Sequence, residues 1–198
     1  MSRIGDEIKE AITDDVDHVN EGVSEIIKRD VEVNGITYEI GIIGDLEKAG
    51  TINLHFPGGN SGPVSGGKQL KSLIDIEQFD CSLILPNALL KTMKFLEDDS
   101  DEAIKARFDQ NVEIQVAIIK QLVEDKTKVI TLSGHSAGCH TTTEVANQLK
   151  EEGYKIEDVL LISPVAFTKG TFLKLLNTDH NLAVQYIWSH WCAFYKYK

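Results

Sequence analysis

Lys128-Val129-Ile130-Thr131-Leu132-Ser133-Gly134-His135-Ser136-Ala137-Gly138 decides the fold. Its first six residues are rich in β-branched and apolar types, the composition of a buried strand. Two glycines then bracket a serine, and from Ala137 to Glu152 the spacing of apolar residues becomes helical. A strand passing straight into a helix through a tight Gly-rich turn is half of a β–α–β crossover, the unit of a parallel sheet.

Other segments repeat the alternation. Thr51–Phe56 reads as a buried strand stopped by Pro57-Gly58-Gly59-Asn60-Ser61-Gly62. A helix is expected from about 67 to 76, a strand from Phe79 to Leu85 ending at Pro86, and a long helix from Asp101 to Asp125. Downstream come a strand over Asp158–Ser163, a helix near Thr171–Leu176 and a last strand near Leu182–Ser189. Upstream, two β-rich stretches (30–34 and 37–43) flank Asn34-Gly35, a dipeptide suited to a two-residue hairpin turn. The expected class is α/β: a mostly parallel sheet with an N-terminal antiparallel hairpin and helices on both faces. Residues 1–28 read as an amphipathic helical segment, with Ile4, Ile8, Ile12, Val16, Val19, Val23 and Ile26 on one stripe. Residues 29–198 read as the domain it docks on.

Composition narrows the function classes. The 198 residues suit one domain, and no apolar run approaches the roughly 20 needed to cross a bilayer. With 20 Lys plus Arg against 31 Asp plus Glu, the net charge of −11 repels nucleic-acid backbones, and no basic patch compensates. Cys81, Cys139 and Cys192 share no CxxC spacing, so a reducing, cytoplasmic setting is expected. His135, Cys139 and His140 match no known ligand spacing, and neither a metal nor a cofactor is expected. Gly62 to Gly67 followed by Lys68-Gln69 falls short of a phosphate loop, because the hydroxyl residue for Mg²⁺ is missing.

Gly134-His135-Ser136-Ala137-Gly138 is G-x-S-x-G in the strand–turn–helix context that gives the motif meaning. A serine hydroxyl is a weak nucleophile, and a sharp turn presents it to a base. The helix that follows points unpaired N–H groups at the same place, so Ala137 N–H is a candidate oxyanion donor. The plainer reading is a Gly-rich turn with Ser136 as a helix cap. The loop His55-Phe56-Pro57-Gly58-Gly59-Asn60 ends another strand, and its glycines allow a second backbone N–H to approach a substrate.

On these two motifs, over roughly residues 30–190 in element order, the chain resembles the α/β-hydrolase superfamily. The resemblance implies a serine hydrolase acting on an ester or thioester of a small-molecule acyl substrate through an acyl-enzyme on Ser136. It implies a second oxyanion donor among Phe56, Gly58 and Gly59, and LHFPGGNSG is somewhat like the corresponding loop of thioesterases. It also implies a later acid and histidine. His190, after the last strand, is the expected base; His140 reads as a packing histidine and Asp179-His180 as an ordinary turn. The family's acid has no clear counterpart: Asp98, Asp99 and Asp101 lie in a solvated EDDSDE run. A hydrolase-shaped binding or scaffold protein, lacking the histidine–acid half, is the alternative. The Trp188, Trp191, Phe194, Tyr195 and Tyr197 cluster is read as core or an oligomer contact ahead of the alternative, the lining of an acyl pocket.

Overall fold

The computed structural model describes residues 25–58, 61–86, 101–162 and 183–187. The expected helix over the first residues therefore falls outside them, as does the one near 171–176. Strands β1 (Ile27–Val33) and β2 (Ile36–Gly44) form the hairpin. Asn34 and Gly35 turn it with φ of +53° and +75°, the two left-handed positions of a turn matched to strand twist. β1 starts at Ile27, so the sheet reaches two residues into the segment assigned to the N-terminal helix.

The remaining elements alternate. They are β3 (Thr51–Phe56), α1 (Pro63–Leu73), β4 (Cys81–Ile84), α2 (Asp101–Leu122), β5 (Val129–His135), α3 (Gly138–Glu151), β6 (Lys155–Ile162) and β7 (Ala183–Ile187). They build a seven-stranded sheet in the order β1-β2-β4-β3-β5-β6-β7. β2 is antiparallel to both β1 and β4, and the pairs from β4 through β7 are parallel.

The sheet divides the core in two. On one face Ile42, Leu83, Leu54, Leu132 and Leu161 meet Val112 and Ile119 of α2 and Val145 and Leu149 of α3. On the other, Leu70 of α1 packs on Ile43 and Ile84, with Ile26 against them. Helices on both faces are thus required, because every central strand buries both its sides.

Some expected boundaries are corrected: α2 ends at Leu122 instead of Asp125, and β6 starts at Lys155 instead of Asp158. α1 runs from Pro63 to Leu73, not 67–76. Pro63 sits in the first turn, where its missing N–H costs nothing. Gly66 and Gly67 are helical and buried; a Cβ on Gly66 would stand 2.8 Å from Ile84 Cγ2. These glycines lower the helix onto the sheet and do not form a loop.

Candidate active site

Strand order locates the site. β3 has β4 on one side and β5 on the other, and the helices after β3 and β5 lie on opposite faces. The loops leaving β3 and β5 therefore meet at the carboxyl end of the sheet where the connections change face, the place where such sheets bind ligands. Both sequence motifs end there.

The β5–α3 turn holds Ser136 at φ +51°, in the left-handed region that a side chain ordinarily avoids. Two backbone bonds pin it: Ser136 N–H donates to Ile162 O at the end of β6 (3.0 Å), and Cys139 N–H to Ser136 O (3.2 Å). Gly138 is forced by proximity, since a Cβ there would lie 2.1 Å from the Phe56 carbonyl oxygen. Ser136 is half-buried and does not cap the helix: the capping position is Ala137, and no side chain fills that role. Among the described residues, neither the Ser136 hydroxyl nor Ala137 N–H has a hydrogen-bond partner.

The β3 loop closes on this turn. A Cβ on Gly58 would lie 2.8 Å from Ser136 Cβ and 2.7 Å from His135 Nδ1, so only glycine fits. Phe56 ends β3 buried, with its carbonyl against Gly138, and Pro57 has no N–H to offer. Gly58 N–H points elsewhere: it donates to Gln69 Oε1 of α1 at 3.2 Å. Gly59 lies outside the described residues.

Beneath the loop is a polar cluster that sequence reasoning missed. His55 Nδ1 is 3.0 Å from Ser133 Oγ, which donates to Asn53 Oδ1 at 3.0 Å. All three residues are fully buried. Burial, with His135 nearby, pushes the His55 imidazole down to about 3, so the ring is neutral. Burial also lowers the pKa of His135. The available signal was the alternation of Asn53 and His55 with Ile52, Leu54 and Phe56 in a strand read as buried.

His190, the expected base, lies outside the described residues, as do His180, Asp98, Asp99 and the aromatic cluster. β7 runs parallel to β6, so its carboxyl end is on the Ser136 edge of the sheet. His140 is buried on α3, edge-on to Phe108 with ring centroids 5.8 Å apart. Among the described residues no three His, Cys, Asp or Glu side chains gather as a metal site, and no helix is long and apolar enough to cross a membrane. A cavity of about 400 Å³ lies at the opposite edge, lined by Thr51, Phe79, Val129 and Asp158 among others, away from Ser136.

No family model matches the chain, and no curated protein matches it. Solved structures do. The esterase LipW from Mycobacterium marinum superposes with a TM-score of 0.51 at 14% identity over 82% of this chain. A membrane phospholipase A, described as a bacterial virulence factor, gives 0.50 at 17% over 81%. A mutant of LAE6, an alpha/beta hydrolase enzyme from the metagenome of Lake Arreo, gives 0.50 at 14% over 74%. This chain spans 51%, 47% and 46% of those proteins. At such identities the likeness is one of architecture: the chain has the α/β-hydrolase fold.

Proposed function

We propose that the chain is a serine hydrolase that cleaves an ester or thioester through an acyl-enzyme on Ser136. One observation carries the reading: a serine held at φ +51° on the strand–helix turn, its hydroxyl unpaired among the described residues. A serine serving structure alone gains nothing from that conformation, which costs roughly 1–2 kcal/mol.

In the proposed reaction Ser136 Oγ attacks the acyl carbonyl as its proton passes to the imidazole of His190. The carbonyl oxygen becomes an oxyanion and takes a hydrogen bond from Ala137 N–H at the positive end of α3. Collapse of the intermediate breaks the bond to the alkoxide or thiolate leaving group, which recovers the proton from His190. Water, activated by the same imidazole, then releases the acid and frees Ser136. The acid partner of His190 is unassigned, and the β3 loop supplies the site's second wall.

A fluorophosphonate probe tests the reading. A stoichiometric adduct on Ser136 in folded protein is expected, with Ser136→Ala abolishing it and lowering ester hydrolysis by at least about 10³-fold. An unlabelled Ser136 in folded protein overturns the enzyme. The alternative is a hydrolase-shaped binding protein without a working base. That reading predicts no hydrolysis and indifference to His190→Ala.

A further inference from the structure

Asn53 and His55 on β3 and Ser133 on β5 are polar residues in the middle of two central parallel strands, where aliphatic side chains are the norm. Register puts them on one face: His55 is opposite Ser133 on one side and Ile84 on the other, and Ile84 packs under α1. The bonds His55–Ser133 and Ser133–Asn53 satisfy part of the row, while His55 Nε2 and Asn53 Nδ2 remain without a hydrogen bond among the described residues. A row that is only partly satisfied weakens a core, so its presence beside a reactive turn calls for a role other than stability.

Its outer end supplies one. Gln69 of α1 lies beside the His55 ring, and its Oε1 takes the N–H of Gly58. Gly58 is the residue whose Cα packs directly on Ser136. A continuous line of contacts thus runs from the sheet interior through Gln69 to the loop facing the candidate nucleophile.

We propose that Gln69, seated on the buried His55–Ser133–Asn53 row, is a positioning residue that clamps Gly58 and so sets the β3 loop against Ser136. It follows that Gly58 serves by its missing side chain, and its N–H is committed to Gln69 instead of an oxyanion. The effect on acyl transfer rests on the serine-hydrolase reading; the clamp itself does not.

Two measurements on the full chain separate them. The first is hydrogen exchange at the Gly58 amide by NMR. Protection is expected in the parent protein, to drop at least tenfold in Gln69→Ala, and to survive in Gln69→Glu, whose carboxylate accepts the same hydrogen. Alanine favours the helical backbone, so α1 is retained, and protection of the β5 amides checks that the fold is intact. Equal protection at Gly58 in parent and Gln69→Ala overturns the clamp. The second is the rate of fluorophosphonate inactivation. Gln69→Ala is expected to slow the chemical step at least tenfold while leaving probe affinity within twofold, with Gln69→Glu restoring it. Normal inactivation in a variant whose Gly58 has lost protection overturns the positioning role. A parent protein that never reacts removes the hydrolase reading and with it the role in acyl transfer, while exchange still decides the clamp.

Discussion

A side chain at positive φ is strained, and the cost is borne where Ser136 turns the chain from β5 into α3. Glycine relieves it. Ser136→Gly is therefore expected to stabilise the protein by about 1 kcal/mol in urea unfolding while abolishing probe labelling. Opposite signs for stability and reactivity at one residue separate a functional serine from a structural one. His55 gives a second residue-scale prediction. Unfolded, its imidazole takes a proton near 6.5; folded, it stays neutral down to about 3. Between those values the unfolded chain holds the extra proton. Stability from this group is thus complete above about pH 6.5 and declines as pH falls, by up to ~1.4 kcal/mol per pH unit. Unfolding free energies at pH 7 and pH 5 should show this decline, and a smaller one in His55→Gln. A slope unchanged by that substitution would place the effect on other groups.

At the scale of elements, what was legible followed from local pattern. The hairpin, the parallel strands and the turn at Ser136 each announce themselves within a few residues: Asn34-Gly35 by its left-handed pair, G-x-S-x-G by its glycines. The expected helix starts four residues late because Pro63-Val64-Ser65-Gly66 look like loop residues until Ile84 is seen beneath Gly66. The His55–Ser133–Asn53 row was invisible for the same reason: its members meet only across strands. The donor role considered for Gly58 turned on Gln69, a helix residue that no motif marks. Packing between elements also yields a prediction. A methyl group on Gly138 meets the Phe56 carbonyl at 2.1 Å, and that oxygen belongs to backbone in the sheet centre. Gly138→Ala is expected to cost about 3 kcal/mol or more, above the usual penalty of a crowded core, because no rotamer can relieve it. Thermal unfolding against the parent protein measures it; a loss under 1 kcal/mol would mean that the two loops part easily.

For the whole molecule, charge and topology matter most. The net charge of −11 makes the folded chain repel itself. The ion pairs Lys28–Glu39, Lys48–Asp45 and Lys120–Glu152 are largely exposed and offset little. Raising NaCl from about 0.02 to about 0.5 M, which shortens the screening length roughly fivefold, should lift the Tm by a few degrees. A fall in Tm would assign net stabilisation to the surface pairs. The topology has a further consequence, in time. His55 and Ser133 are partners 78 residues apart, so β3 leaves the ribosome well before β5 exists to pair with it. At typical synthesis rates that wait lasts roughly 4–16 s. An all-aliphatic β3 left bare for so long would invite other nascent chains to add on, whereas Asn53 and His55 break up the sticky run. The same polar side chains that weaken the finished core interrupt the apolar run that its central strand would otherwise present while it waits.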